Sequence, residues 1–162
     1  MKIILITVTF LLAATVVSVA QTGNVSKPSN PVKMEKLELT QEWDKTFPKS
    51  DKVNHSKVTF VNRYGVTLAA DMYVPKDAGG KLPAIAISGP FGAVKEQASG
   101  LYAQELAERG FLTVAFDPSF TGESGGKPRY VASPDINTED FQAAVDFLMT
   151  NDRVDSERVG IL

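Results

Sequence analysis

Gly122-Glu-Ser-Gly-Gly126 matches Gly-x-Ser-x-Gly, a pattern that can hold a serine hydroxyl on a sharp turn for nucleophilic attack. A serine used in this way needs a base. The sequence has 1 His, so any Ser-His-Asp arrangement built within these residues would have to use His55. One imidazole also cannot make a multi-His metal site, and with 0 Cys there is no thiolate nucleophile, zinc–thiolate centre, iron–sulfur cluster or disulfide scaffold. The Gly-rich stretch before Lys127 fails as a phosphate-binding loop, because Thr121 stands where the first Gly is required and Pro128 where Ser or Thr must follow the Lys. No cofactor and no metal is therefore expected. Lys95 and Glu96, adjacent charges, read as a solvated face.

The serine match reads as a loop. A nucleophile elbow needs a strand running straight into the turn and a helix leaving it. Here the apolar run Phe111–Phe116 is ended by Asp117-Pro118, Lys127-Pro128 follows the match, and helical periodicity resumes only after Asn137. Ser124 is expected to serve a turn in which Gly supplies positive φ. His55 reads as a solvated residue at the edge of the first strand.

The elements that would position any site are legible from Lys57 onward. Lys57–Asn62 alternates and is β-rich, Arg63-Tyr-Gly65 supplies a turn, and Val66–Val74 continues as a second strand, which makes a β-hairpin. Leu82–Ser88 is a continuous apolar strand of the kind buried on both faces of a parallel sheet. Ala98, Tyr102 and Leu106 recur at helical spacing, backed by Ala103 and Ala107, with Gln104 and Glu105 opposite and Gly110 as the stop. Phe111–Phe116 is a second buried-type strand. A helix capped by Asn137 should follow, with Phe141, Ala144, Val145 and Leu148 on one face, and a third strand begins at Arg158. Strand and helix alternating through short connections imply right-handed βαβ units in a mostly parallel, doubly wound α/β sheet.

Composition narrows the partners. Lys+Arg 17 against Asp+Glu 19 gives a formal net charge of −2, with no basic footprint for nucleic acid. At 43% hydrophobic and 22% charged residues the chain falls within the range of globular domains. Residues 1–20 read as a signal peptide: Lys2, the apolar run Ile3–Ala14, and Ser18-Val-Ala20 as a cleavage site. The run is too short and too interrupted by Thr to anchor stably in a membrane. Export to the periplasm or the exterior is expected, with the mature chain starting at Gln21. Residues 21–34, rich in Ser, Asn and Pro, read as a flexible leader, and 35–162 as the folded domain. Trp43 is expected to serve in packing.

Four segments together resemble a known family: Trp43–Ser50, Lys57–Gly65, Gly89-Pro-Phe-Gly-Ala-Val-Lys-Glu-Gln97 and Phe116-Asp-Pro-Ser-Phe-Thr-Gly-Glu-Ser-Gly-Gly126. Their order and spacing are similar to those of the dienelactone-hydrolase-like branch of the α/β-hydrolases, from about Leu39 to Leu162. The resemblance implies the N-terminal half of that fold, with the strand from Arg158 lying beside Leu82–Ser88 and leading to the nucleophile elbow. Nucleophile, acid and catalytic His would then lie beyond Leu162, and none of the catalytic three is expected within the chain. The loop Gly89–Gly92 holds the place from which this fold donates a backbone N–H to the oxyanion hole. Pro90 has no N–H, so Phe91 is the first choice and Gly92 the second. Relatives often carry His where Gly89 stands.

The resulting expectation is part of an exported hydrolase of small-molecule esters, lactones or related acyl compounds, itself catalytically silent. The alternative is a complete, non-catalytic exported α/β binding module. A terminal apolar strand without a polar tail favours the first, because an unpaired buried-type edge promotes aggregation.

Overall fold

The computed structural model describes residues 35–162; the expected signal peptide (1–20) and leader (21–34) lie outside the described residues. The elements in order are β1 (Val53–Val61), β2 (Thr67–Pro75), β3 (Leu82–Ser88), α1 (Ala98–Glu108), β4 (Leu112–Phe116), α2 (Pro134–Met149) and β5 (Val154–Ile161). They form one sheet in the order β1-β2-β4-β3-β5. The β1–β2 and β2–β4 pairs are antiparallel, whereas β3 runs parallel to both β4 and β5. The expected α/β architecture, an antiparallel hairpin joined to a parallel βαβαβ unit, is the one observed.

Period-two alternation divides the strands between two layers. Ala84, Ala86, Val114 and Phe116 pack with Ala144 and Leu148 of α2 on one face. On the other face Ile87, Ala115 and Tyr73 pack with Ala103 and Ala107 of α1. The chain steps from β3 to β4 on one side, then crosses to β5 on the other. Right-handed crossovers in opposite directions put α1 and α2 on opposite faces, and the carboxyl end of β3 becomes the point where the winding reverses.

Several boundaries and faces differ from expectation. β1 starts at Val53 and not at Lys57, because the ladder with β2 continues to the pair Val53–Pro75 and carries the polar residues Asn54, His55 and Ser56 along. β5 likewise starts at Val154, paired with Leu82, and reaches Ile161 after a bulge. The second helix begins at Pro134 after Ser133, whose extended backbone and Pro successor suit a helix start better than Asn137.

α1 is rotated from the face its apolar residues suggest. Tyr102 is 59% exposed, while Ser99, Gly100, Ala103, Gln104 and Ala107 are buried. Gly100 explains the rotation. A Cβ there would overlap the Lys95 carbonyl and press on the Phe47 ring, so this small-residue stripe is the side that can approach the rest of the molecule closely. Gln104 is buried because its amide is used: it donates to the Pro48 carbonyl at 3.0 Å and accepts from the Ser50 N–H at 3.0 Å. That clasps the 43–50 segment across the helix.

Candidate functional site

The strand order opens a crevice at the carboxyl ends of the parallel strands, where loops from β3 and β4 diverge. A cavity of about 470 Å³ lies there. Gly89, Phe91 and Gly92 of the β3–α1 loop form part of its wall, with Phe116 at the end of β4, Tyr130 in the next loop and Phe141 on α2. Within the first loop the Ala93 N–H donates to the Pro90 carbonyl at 2.9 Å, and Gly92 at the third position has φ 79°. This is a β-turn that demands positive φ at its third residue, which Gly adopts without strain. Phe91 is 85% exposed at the mouth. Among the described residues, the N–H groups of Phe91 and Gly92 donate to no protein acceptor.

Asp117, the residue after β4, locks the two walls of this cavity together. Its Oδ1 accepts from the Lys95 N–H at 2.8 Å, and its Oδ2 from Lys95 Nζ at 2.8 Å and the Glu123 N–H at 2.9 Å. Both side chains, Lys95 and Asp117, are fully buried. Gly122, with φ 52°, completes the fit, since a Cβ there would overlap the Asp117 carboxylate. The lattice then spreads outward. Lys95 also pairs with Glu96 and, at 2.8 Å, with Glu123; Lys57 bonds Glu123 at 2.7 Å and Asp44 at 3.1 Å.

Lys95 and Glu96 are therefore not the solvated face expected of two adjacent charges. The backbone turn that leads into α1 points Lys95 inward, where three carboxylates compensate its charge. Burial opposes the charged form of Lys95, yet Asp117, Glu123 and Glu96 together outweigh that opposition and raise its pKa above the ordinary lysine range.

His55 also departs from expectation. It lies within β1 and its ring is only 14% exposed, with Nε2 2.7 Å from Asp71 Oδ1. Trp43 meets it edge-on with ring centroids 5.1 Å apart, and Tyr73 lies at 5.0 Å. Lys45 Nζ lies 2.9 Å from Asp71 Oδ2, near enough to pair its charge although not aligned as a hydrogen bond. In register His55 pairs with Tyr73 and Phe116 with Ala70, so the cluster lies within the same stretch of β2 that meets β4. Trp43 packs as expected, its indole N–H donating to the Phe47 carbonyl at 2.8 Å.

Ser124 is 2% exposed. Its Oγ accepts from the Ala69 N–H at 2.9 Å and donates to the Asp117 carbonyl at 2.7 Å. Both functions of the hydroxyl are engaged by backbone, which stitches the loop to β2 and β4 and leaves no oxygen poised to attack.

Sequence reasoning missed Asp117, Asp71, Lys57 and Glu123 as network members, and Asp140 on α2. A signal was available for Asp117: an acid directly after a fully apolar strand, before Pro, must be paired if it is buried. Nothing comparable marks Lys57 or Glu123, whose partners lie 66 and 28 residues away in sequence.

The lattice has a pH consequence. Burial raises the pKa of Glu123, but hydrogen bonds from Lys57 and Lys95 outweigh it and bring the group down to about 2. Asp44 is also lowered: Lys45 and Lys57 overcome its desolvation. A depressed carboxylate stabilises the fold above its unfolded pKa and loses that contribution as pH falls toward its folded value. Asp140 acts in the opposite sense, raised chiefly by burial, so its unfavourable contribution is relieved on acidification. The urea midpoint should fall between about pH 4.5 and 2, Glu123 contributing about 2 kcal/mol after allowance for its partly exposed edge. Glu123→Gln should flatten this slope, and an unchanged slope in the variant would refute the assignment.

Comparisons with known proteins bear on the family and the fold. The model of the family described as X-Pro dipeptidyl-peptidase (S15 family) matches residues 64–162. An uncharacterized protein of Pseudomonas aeruginosa is 72% identical over 127 residues, covering 78% of this chain and 34% of its own length. The crystal structure of that protein superposes with a TM-score of 0.77, over 78% of this chain and 40% of the other. A thiohydrolase of Aspergillus aculeatus is 31% identical over 112 residues, 69% of this chain and 34% of the enzyme. The solved α/β hydrolase GrgF from Penicillium is 25% identical with a TM-score of 0.61, covering 67% of this chain and 36% of the other. The chain thus spans about a third of the length of the curated relatives it matches.

Proposed function

The chain belongs to the X-Pro dipeptidyl-peptidase (S15) family of α/β-hydrolases, and from that premise we propose that it forms the first part of an exported hydrolase acting on small-molecule esters, lactones or related acyl compounds. One observation carries the proposal: a cavity at the reversal point of the sheet, walled by a turn that presents the free N–H groups of Phe91 and Gly92. In acyl transfer, donors held at such a place stabilise the negative charge that develops on the carbonyl oxygen. The nucleophile, the acid and the catalytic His come, in this reading, from residues after Leu162, and the strand β5 beside β3 is the one that leads to the nucleophile. The share of the relatives' length that the chain spans supports this division. Cleavage of the signal peptide after Ala20 would deliver the protein to the periplasm or the exterior, and its partner there is a substrate and not a nucleic acid.

The test is to express the 162-residue chain and a form continued past Leu162, and to follow p-nitrophenyl ester hydrolysis. The continued form should turn over and the shorter one should not. Ser124→Ala in the continued form should keep activity within about tenfold, against the ~10⁶-fold loss that removing a true triad nucleophile causes. Turnover by the shorter chain that is abolished by His55→Ala would overturn the proposal.

A further inference from the structure

We propose that the cavity beyond β3 and β4 recognises an uncharged aromatic group of its ligand; this rests on reading the cavity as a substrate site. The first support is the wall itself. Its polar groups are hydroxyls and an amide, among them Ser88, Thr121 and Asn137, and among the described residues no Lys, Arg, Asp or Glu lines it.

This neutrality is built and not incidental, because ionic residues, among them Lys95, Asp117, Glu123 and Arg129, sit next in sequence to wall residues and none of them lines the cavity. Val94 lines the cavity and Lys95 does not; Phe116 and Pro118 line it and Asp117 between them does not. The reversal of direction from one residue to the next sends both charges into the sealed lattice, where they satisfy each other with no side-chain exposure. Arg129 donates to the Gly122 and Ser124 carbonyls and does not itself line the cavity. A carboxylate or ammonium brought into this cavity would therefore shed water without gaining a counter-charge, which is strongly unfavourable. The N-terminal ammonium that a dipeptidyl-peptidase substrate carries finds no acid among these wall residues.

The second support is the aromatic mouth. Phe91 and Tyr130 line the cavity yet stand 85% and 87% exposed. Tyr130 is held with φ 60°, a conformation unusual for a residue with a side chain, by its N–H bond to the Phe120 carbonyl at 2.9 Å. Two large rings kept in water beside an apolar hollow gain most from covering a flat apolar ring. Phe116 and Phe141, whose centroids lie 5.0 Å apart edge to face, form the floor behind them.

The experiment uses the form continued past Leu162 and three ligands of one ring size: uncharged 2-acetylnaphthalene, anionic 2-naphthoate and cationic 2-naphthylmethylammonium. Binding is followed by equilibrium dialysis, and each variant's thermal unfolding is recorded alongside. The neutral ligand should bind saturably and at least about tenfold more tightly than either ion. Phe91→Ala and Tyr130→Ala should each weaken it about three- to tenfold. Both side chains are exposed, so neither change should alter the unfolding transition, and Tyr64→Ala, at the exposed hairpin turn away from the cavity, should bind as the parent does. Equal or tighter binding of an ion would overturn the proposal, as would the absence of saturable binding or indifference to both substitutions. Because the readout is binding without turnover, a failure here is separable from a failure of the continued form to hydrolyse esters.

Discussion

Replacing Lys95 with Met should destabilise the domain by about 3–5 kcal/mol, the range measured when one member of a buried ion pair is removed. Lys95 Nζ lies within hydrogen-bonding distance of Asp117, Glu96 and Glu123, and its side chain is wholly buried. Without it, the Asp117 carboxylate keeps two backbone N–H donors but loses its only cationic partner among the described residues. The effect should be local as well as global, because the same carboxylate joins the 89–97 loop to the 118–126 loop. Urea unfolding of the parent and variant measures the loss. The double variant Lys95→Met/Asp117→Asn should recover part of it, since the amide carries no charge and its oxygen still accepts from a backbone N–H. A single variant within about 1 kcal/mol of the parent would show that water reaches Asp117.

Asp140→Ala should cost about 3–4 kcal/mol, through orphaned donors and not through lost charge pairing. The Asp140 carboxylate accepts from Asn62 Nδ2, the Ser119 N–H and Ser119 Oγ, each at 2.8 Å, and all three residues are buried. Asn62 in turn uses its Oδ1 to accept from the Tyr64 and Val66 N–H groups, which shapes the hairpin turn. One carboxylate on α2 thus ties the β1–β2 turn to the loop after β4. Asp140→Asn retains an oxygen for part of this set but turns its NH₂ toward a donor, so it should lose less than the Ala variant. Equal losses for the two, measured by urea unfolding, would show that the hydrogen bonds are not the source of the stability.

The strands, the helices and their order were legible because each rests on a period short enough to read locally. Leu82–Ser88 and Phe111–Phe116 are continuous apolar runs, and such runs separated by helical spacing admit few arrangements once crossovers must be right-handed. The place of the strand near Arg158 beside Leu82–Ser88 followed from the family resemblance, and the structure pairs Leu82–Ala86 with Val154–Ile161. The context of Ser124, after a strand has ended and before a Pro, already argued for a turn, and its two backbone hydrogen bonds accord with that.

The tertiary structure alone decided which polar residues are inside. By type, Lys95, Glu96 and His55 belong on a surface, and no local pattern says otherwise. Lys95 is buried, and Glu96 and His55 are largely covered, because segments far apart in sequence bring opposite charges together: Asp117 and Glu123 after β4 beside Lys95, Lys57 of β1 near Glu96, and Asp71 of β2 beside His55. Pairing of this kind depends on distance in space, which a one-dimensional period does not encode. The rotation of α1 has the same origin. Tyr102 and Leu106 carry the apolar signal, but Gly100 is where the Lys95 carbonyl and the Phe47 ring come too close for a Cβ, and that steric fit sets which face is buried. Hydrophobic periodicity thus determined the elements of this protein and their sequence of winding, whereas long-range charge compensation and close packing at small residues determined its interior and the neutral wall of its cavity.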